Sequence, residues 1–563
     1  MSLFLIFSLS PVSWSQTNPT MSSQQRTYQL EEDAQALTSR IEKKKESPDI
    51  EKEKTEEPVA PDSSERVLIK DIVVTGGTYI SGKEIDKITA PSKNKNLTIR
   101  DMQVVADKIT DVYRQKGYIT SRAYLPPQKI ENNILNIIVV EGKAGSIDIK
   151  GNKYFSTKYL LSKITLKKGD PFNYNNLRKD MVKINQSPDC FSRAVLVPGK
   201  DPGETDISLE VKDHMPIHAG LSWDNYGSRY IDGQRYSTKL IDNNFLGFGD
   251  VLSFEYQLAQ SSRYFLKDMR YFIPLKHGWG IGMFASLSRV KLGQEFEDLD
   301  VRGKSNIYGV FANKSLIDTE NLDLGLSLGF DYKNITNYQT GAVASQDRLR
   351  IAKFGLDFDL TDNFGRTIIN NEVDMGIPNI MGGLHKASAT TSSSRSGAGG
   401  NFTKNTTNIV RLQKMPLSSN ILWKSQIQQT SNVLTAAEQF QIGGIVNVRG
   451  YPPAEVVGDS GYSTTVEWNF PIYGLSKNAG VPLSKAKLYD ALRAAIFYDW
   501  ANAHLKRPLS NEGKNRTLRS AGFGFRFNLP EDFSAKVDFA WPLDNAPSDG
   551  DRLHIWVQIS KNF

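Results

Sequence analysis

The C-terminal part of the chain alternates between apolar and polar residues with a period of two. The alternation begins near Pro216 and continues to the C-terminus. A period of two places successive side chains on opposite faces of a β-strand. Here the apolar face is rich in aromatic residues, and the other face carries glycine, serine and charged residues. The clearest segments are Leu322–Tyr332, Tyr462–Phe470, Phe523–Leu529 and Phe533–Trp541.

This pattern predicts an all-β transmembrane barrel of about sixteen antiparallel strands over residues 214–563, because tilted strands of about 9–11 residues cross a bilayer. Closure of the barrel removes the strand edges that lipid cannot satisfy. The hydrophobic fraction of 39% suits a soluble protein equally well, but half of each barrel strand faces a polar lumen. The last strand ends at the aromatic Phe563, which resembles the signal read by the barrel-assembly machinery of outer membranes.

The N-terminal region has a different pattern and is predicted to contain three segments. Residues 1–15 have an apolar stretch and then small residues, as in a secretory signal peptide, although a positively charged start is missing. Within the N-terminal segment 16–45, residues 27–45 are predicted to form an amphipathic helix. Prolines and many charged residues predict a flexible linker over 46–65. The apolar stripe of the helix consists of Leu30, Ala34, Leu37 and Ile41.

Two small α+β domains of similar plan are predicted at residues 66–142 and 143–213. In the first, Thr98 is the expected N-cap of a helix, and Ile134–Val140 reads as a strand. In the second, a helix around Asn175–Asn185 precedes two strands. Two similar units of about 70 residues form a tandem repeat.

Motifs for catalysis are weak in this chain. Gly325–Gly329 matches the spacing of a nucleophile elbow, but it lies in an alternating strand rather than in a sharp turn. Gly77–Glu84 resembles a phosphate-binding loop, but Glu84 stands where serine or threonine is required. We therefore predict no catalytic residues and no enzymatic activity.

Cofactors, metals and nucleic acid are also not expected as ligands. The six histidines are scattered, and Cys190 is the only cysteine. The net charge of +7 is spread along the chain without a dense basic stripe. These features predict no metal site, no disulfide within the chain and no nucleic-acid partner.

One tetrapeptide of interest is Val448-Arg449-Gly450-Tyr451, in a glycine-rich connection that we assign between the eleventh and twelfth barrel strands. Asp499 lies on the thirteenth strand, where alternation turns Phe497 and Asp499 towards the lumen. A carboxylate in a lumen needs a partner, and an arginine offers a bidentate fork. The sequence also allows Arg449 to be an exposed loop cation and Asp499 a solvated pore charge.

Several short motifs together resemble the transporter component of two-partner secretion systems, the type that secretes haemolysins and filamentous haemagglutinin. The likeness covers roughly residues 27–563. The motif from Phe497 to Ala501 departs from the family's pattern at Ala501, where glycine is usual. The motifs are Gly117-Tyr118, Arg122-Ala123, Leu125-Pro126-Pro127-Gln128, Val140-Glu141-Gly142, Asn185-Gln186-Ser187-Pro188, Pro198-Gly199, Gly203-Glu204-Thr205-Asp206, Asp224-Asn225-Tyr226-Gly227, Asn244 to Asp250, Val448 to Tyr451 and Phe497 to Ala501.

The resemblance implies two periplasmic polypeptide-transport-associated (POTRA) domains before a 16-stranded barrel in the outer membrane of a Gram-negative cell. It implies that the helix at 27–45 plugs the pore, and that the loop with Arg449 folds into the lumen and pairs with Asp499. The implied function is type V secretion of an unfolded partner exoprotein, without a cofactor. The implied partners are that exoprotein, the barrel-assembly machinery and outer-membrane lipid. The cargo is left open between a haemolysin, an adhesin and a contact-dependent toxin, as is its activation on export.

Three other functions compete with this interpretation. A barrel-assembly insertase shares the superfamily, but insertases usually carry more periplasmic repeats and lack a tethered plug helix. A passive solute porin leaves residues 66–213 unexplained. An enzyme requires a constellation of catalytic residues that the sequence does not contain.

Overall fold

The computed structural model describes residues 50–52, 65–185, 187–319, 321–386, 393–482, 484–508, 513–530 and 532–563. They fall into two compact units, one within Glu46–Met215 and one that includes Pro216–Phe563. Within these ranges, no helix is long and apolar enough to cross a membrane.

The first unit contains two small α+β domains. Its first sheet has the strand order β3-β6-β5, and its second sheet has the order β1-β8-β9-β7. Strands β2 and β4 form a separate pair. The elements in chain order are β1 (Ile50–Lys52), β2 (Val67–Ile69), β3 (Asp71–Thr75), α1 (Gly82–Thr89), β4 (Lys95–Leu97), α2 (Ile99–Gln115), β5 (Arg122–Tyr124), β6 (Ile134–Val140), β7 (Lys143–Lys150), α3 (Thr157–Ser162), α4 (Tyr174–Asn185), β8 (Cys190–Pro198) and β9 (Glu204–Asp213).

The two domains repeat one plan. In the first domain β6 has β3 parallel on one side and β5 antiparallel on the other. In the second domain β9 has β7 parallel on one side and β8 antiparallel on the other. Helix α2 begins at the predicted Thr98, whose side chain forms a capping box with Asp101. Each sheet buries one face against its helices. The buried residues include Met102, Val105, Ile109, Leu135 and Ile137 in the first domain, and Leu177, Met181, Leu196, Ile207 and Leu209 in the second.

A carboxylate closes the equivalent loop in both domains. Glu141, just after β6, accepts hydrogen bonds from the backbone N–H of Thr78 at 2.5 Å and of Tyr79 at 2.6 Å, and from the Tyr113 hydroxyl at 2.8 Å. Asp213, at the end of β9, accepts from three consecutive N–H groups in residues 153–155. Backbone N–H groups that converge on one carboxylate satisfy donors that the turn leaves unpaired.

Only a few residues of the predicted flexible linker 46–65 are described. Its residues Ile50–Lys52 form strand β1, which runs parallel to β8 with Ile50 opposite Ala194. Strand β8 lies outside β9 in the sheet, so its outer edge offers unpaired N–H and C=O groups that an extended segment can pair with. The other residues of the linker, the plug-helix segment 16–45 and the signal-peptide segment 1–15 lie outside the described residues.

The second unit is a closed barrel of sixteen antiparallel strands, which confirms the predicted fold class. Each barrel strand pairs with the next barrel strand along the chain, with β20 paired to β23, and β27 closes the barrel on β10. Strands β21 and β22 pair only with each other. The strands are β10 (Ile217–Asp224), β11 (Arg235–Asp242), β12 (Val251–Ala259), β13 (Tyr264–Pro274), β14 (Trp279–Lys291), β15 (Arg302–Asp318), β16 (Leu322–Gln339), β17 (Ala342–Asp362), β18 (Gly365–Gly376), β19 (Thr403–Met415), β20 (Ser419–Thr430), β21 (Phe440–Ile442), β22 (Val456–Gly458), β23 (Ser460–Pro471), β24 (Leu492–His504), β25 (Asn515–Leu529), β26 (Phe533–Pro542) and β27 (His554–Asn562).

Short helices interrupt the connections. A single α-helical turn, α5 (Leu488–Ala491), precedes β24. Five 3₁₀ helices lie at Ala90–Ser92, Arg229–Ile231, Lys276–Gly278, Gln294–Phe296 and Ala436–Glu438 within the described part of the chain.

Alternation along the strands separates an apolar outer face from a polar inner face. Trp468 and Trp500 point outward and are 46% and 40% exposed. The residues directly before them, Glu467 and Asp499, point inward and are buried. An apolar, aromatic outer surface on a closed barrel suits contact with lipid. The sixteen-strand count also places Asp499 on the thirteenth strand, β24, as predicted.

Residues 431–459, which we call the inward loop, fold into the barrel between β20 and β23. Phe440, Ile442, Val448 and Tyr451 of this loop form a buried cluster with inward-facing residues of β24 and β25. The β18–β19 loop also turns inward, and its Leu384 and Phe402 pack against Leu349 and Ile351 of β17. The lumen is therefore occupied by parts of the barrel's own connections.

Candidate functional site

The tip of the inward loop is held in shape by its own hydrogen bonds. Strands β21 and β22 form the stem of a hairpin, and residues 443–455 form its tip. The Asn447 side chain accepts a hydrogen bond from the N–H of Gly443 at 2.8 Å and donates to the carbonyl of Gln441 at 2.9 Å. The N–H of Gly444 donates to the carbonyl of Tyr451 at 2.8 Å. These bonds fix the backbone that carries Arg449.

Arg449 lies inside the barrel against Asp499. Its Nε and Nη2 donate to the two carboxylate oxygens of Asp499 at 3.0 and 2.9 Å, and its backbone N–H donates to the same carboxylate at 3.1 Å. The Ser520 hydroxyl donates to Asp499 at 2.9 Å. Arg449 is 2% exposed and Asp499 is 0% exposed. The structure therefore brings these two residues together and does not leave Arg449 as an exposed loop cation.

Two further carboxylates complete the surroundings of the guanidinium. Nη1 of Arg449 lies 2.7 Å from Glu467 on β23 and 3.3 Å from Asp538 on β26. Arg526 on β25 bridges the same two carboxylates at 2.9 and 2.5 Å. Lys536 lies 3.4 Å from Asp538. Three cations thus face three carboxylates in a buried network, where full pairing is the condition for stability.

The remaining motif residues pack around the arginine. The guanidinium carbon of Arg449 lies 3.2 Å from the ring centroid of Phe497, the predicted inward aromatic. The indole N–H of Trp556 donates to the carbonyl of Arg449 at 2.7 Å. Val448 and Tyr451 are buried in the cluster on β24 and β25. A side chain at Gly450 would lie 2.7 Å from the backbone nitrogen of Pro542, so this close approach to the wall requires glycine.

Sequence reasoning missed Glu467, Asp538, Arg526 and Ser520. Each is a polar residue on the inward face of a strand that alternation identifies, so the signal existed as single charged or hydroxyl residues on polar faces. Their convergence on Arg449 depends on the register between neighbouring strands, in which Glu467 pairs with Phe497 and Asp499 with Ser520. Period-two alternation excludes a slip by one residue, which would exchange the two faces, but it does not distinguish registers that differ by two residues.

The other predicted positions fall in different places. Leu30, Ala34, Leu37 and Ile41 lie outside the described residues. Phe563 follows β27, where its backbone exchanges hydrogen bonds with Ala219. Gly325–Gly329 lies within strand β16, and helix α1 begins at Gly82, within the segment Gly77–Glu84 that resembles a phosphate-binding loop.

One group of possible metal ligands occurs in the described chain, at Asp549, Asp551 and His554, with ligand atoms within 4.8 Å of one another. Nε2 of His554 already lies 3.0 Å from the Asp549 carboxylate. A hydrogen bond between Asp549 in the β26–β27 connection and His554 at the start of β27 therefore joins two of the three residues. The ion pairs around Arg449 instead hold the inward loop against the barrel strands.

Comparison with protein families gives three matches. The family model described as haemolysin secretion/activation protein ShlB/FhaC/HecB matches residues 203–488. The POTRA domain of ShlB type matches residues 67–142. A POTRA model described as a surface antigen variable number repeat matches residues 143–187.

Individual proteins show the same likeness. The heme/hemopexin transporter protein HuxB of Haemophilus influenzae (strain 86-028NP) is 25% identical over 493 residues, which is 83% of this chain and 82% of HuxB. The structure of CdiB from Escherichia coli has a TM-score of 0.69 at 20% identity and covers 96% of this chain and 98% of CdiB. The structure of BamA from Haemophilus ducreyi lacking POTRA domains 1–3 has a TM-score of 0.54 at 15% identity, with 88% and 100% of the two chains covered.

Proposed function

The chain belongs to the haemolysin secretion/activation protein family ShlB/FhaC/HecB, and from this premise we propose how it exports a partner exoprotein. Proteins of this family are two-partner secretion transporters of the outer membrane with periplasmic POTRA domains. The observation that carries our proposal is the inward loop, which fills a polar barrel and is fastened there by Arg449. We assign 66–142 and 143–213 as the POTRA domains and 214–563 as the conduit.

Recognition of the cargo takes place on the POTRA domains in this proposal. An unfolded segment of the exoprotein adds a strand to a sheet edge and gains backbone hydrogen bonds there. The pairing of β1 with β8 supports this step, since that edge already accepts an added extended segment. A cargo segment that uses the same edge has to displace Ile50–Lys52.

Translocation then requires an open lumen. The plug helix at 27–45 leaves the pore, the inward loop moves, and the chain threads along the polar inner face. The periplasm holds no ATP, so folding of the cargo outside the cell drives its passage. The protein performs no catalytic step in this account, and contacts with outer-membrane lipid and with the barrel-assembly machinery, the latter through Phe563, serve its insertion.

Deletion of the gene in its native host tests the proposal. We expect one large protein to disappear from the cell surface or culture fluid and to return when the gene is restored on a plasmid. The amounts of other outer-membrane barrels should stay constant. Loss of those barrels with an unchanged set of secreted proteins would contradict export and would favour a barrel-assembly insertase.

A further inference from the structure

A second group of buried charges holds the inward loop at the base of its hairpin. Glu438, at the end of the 3₁₀ helix Ala436–Glu438, is 3% exposed. Its carboxylate accepts hydrogen bonds from Lys333 on β16 at 2.9 Å and from Lys404 on β19 at 2.5 Å. The side-chain amide of Gln428 on β20 donates to the Glu438 carbonyl at 3.0 Å. Glu438 therefore joins the loop to three strands of the wall.

The wall around Glu438 has its own balance of charge. Lys333 lies 3.8 Å from Asp331, Lys404 lies 3.1 Å from Asp374, and Lys353 lies 3.0 Å from Glu372. When Glu438 moves away, three lysines still face three carboxylates. No wall lysine then remains without an opposite charge, which keeps the cost of releasing Glu438 low.

The charges around Arg449, at the tip of the loop, would not balance if Arg449 moved away. Arg449, Arg526 and Lys536 face Glu467, Asp499 and Asp538. If Arg449 leaves, two cations remain for three carboxylates, and Asp499 loses both prongs of its guanidinium partner. A buried charge that loses its partner is strongly destabilising. The charges left behind therefore make release of Glu438 less costly than release of Arg449.

Between Glu438 and Arg449 the backbone passes through two consecutive glycines. Gly443 and Gly444 have φ angles of 111° and 85°, in a region where glycine is free and other residues are strained. A small cavity lies between Val446 and Asn447 of the loop and strands β19 and β20 of the wall. The loop is therefore not closely packed against these strands between Glu438 and Arg449.

We propose that Glu438 is the release latch of the inward loop, and that the base of the hairpin leaves Lys333 and Lys404 while Arg449 stays bound to Asp499. The inference rests on the proposed function, because release of the base opens a path for cargo beside the loop. Glu438 is a positioning residue in this role, and Arg449 is the pivot.

Two introduced cysteines report separately on the surroundings of Glu438 and of Arg449. Gln439→Cys lies next to the latch and Val448→Cys lies next to the pivot, and both positions are buried. The native Cys190 adds little background, because burial raises the pKa of its thiol to about 12 and thiolate is the reactive form. The full chain is purified, reconstituted in liposomes and treated with a methanethiosulfonate reagent, and the modification rate is measured at each reporter.

We expect Glu438→Gln to raise the rate at Gln439→Cys about tenfold, which corresponds to about 1.4 kcal/mol, and to leave the rate at Val448→Cys unchanged. Arg449→Ala should raise both rates. Asp268→Asn, which neutralises a buried carboxylate of the barrel wall that pairs with Arg270 and belongs to neither charge group, is the matched control and should change neither. If Glu438→Gln raised the modification rate equally at both reporters, or did not raise it at Gln439→Cys, the proposed role of Glu438 would be contradicted. The assay contains no cargo, so its result is independent of whether the protein exports one.

Discussion

Arg449 suits its place because one planar guanidinium serves three carboxylates from three different strands. Two of its nitrogens bind Asp499, and the third reaches Glu467 and Asp538. The Phe497 ring covers its face. A lysine carries the same charge but offers a single ammonium without the fork that matches a carboxylate. The role of this residue therefore depends on shape as well as on charge.

Arg449→Lys should reduce secretion of the partner exoprotein by about tenfold or more, because lysine keeps the charge but loses the bidentate fork on Asp499, and a hydrogen bond to a charged group contributes about 1.5–3 kcal/mol. Secretion is measured by immunoblot of the culture fluid and normalised to the amount of heat-modifiable barrel in the outer membrane. Arg519→Lys is the control, since Arg519 pairs with Asp544 at the surface and its side chain is 49% exposed; exposed pairs contribute about 0–1 kcal/mol. Secretion at the full rate by Arg449→Lys would show that the bidentate contact of the guanidinium with Asp499 is not needed.

The sequence could predict Arg449, Phe497 and Asp499 because a glycine-rich connection and a strand face are local properties. It could not place Glu438, which lies outside any regular pattern and meets its lysines only through the fold of the whole loop. Lys333 and Lys404 are 71 residues apart in the chain, and strand register and loop path bring them together on Glu438. Contacts of this kind depend on tertiary packing rather than on periodicity.

At the scale of elements, hairpins and turns here are closed by single polar side chains. Asn447 closes the tip of the inward loop. Glu141 and Asp213 close the equivalent loops of the two POTRA domains. Burial of Glu141 opposes its ionisation, but hydrogen bonds from Thr78, Tyr79 and Tyr113 outweigh burial and lower its pKa below the ordinary 4.5. The ionised form is therefore the one that the folded domain stabilises.

Glu141→Gln should destabilise the first POTRA domain by about 1–3 kcal/mol, because a charge-assisted hydrogen-bond acceptor is lost. Hydrogen exchange of the amides of residues 78 and 79 in the full chain measures the effect at neutral pH. The folded pKa is depressed, so the stabilisation is complete above the unfolded pKa and disappears as the pH falls through the folded pKa. The variant and the parent should therefore converge in acid. A difference that persists unchanged at low pH would contradict a role for the charge.

Period-two alternation predicted the barrel strands, and the capping pattern predicted helix α2 at Thr98. Strand β1 was not predicted, because prolines and charges in residues 46–65 favour disorder, and only the open edge of β8 supplies its partner. The hairpin of the inward loop was also beyond sequence reasoning, since its short stem of β21 and β22 is stabilised by burial against β24 and β25.

At the scale of the whole molecule, a closed polar barrel follows two POTRA domains and holds its own loop inside. Closure and the outward aromatic face account for residence in the membrane. The tandem repeat could be read from the sequence, and both repeats match POTRA models. The two different fastenings, at Glu438 and at Arg449, make the filled lumen a gated conduit in our proposal.

Passage of cargo through the lumen is tested most directly by photo-crosslinking on strand β14. Ser286 points into the barrel and is buried, whereas Met283 on the same strand points outward and is 57% exposed. A photoreactive amino acid replaces either residue, and the partner exoprotein identified by gene deletion is stalled by fusion to a stably folded domain. We predict a crosslink between the stalled cargo and position 286, with none at position 283. A stalled cargo that crosslinks at 283 and not at 286 would contradict a conduit through the barrel.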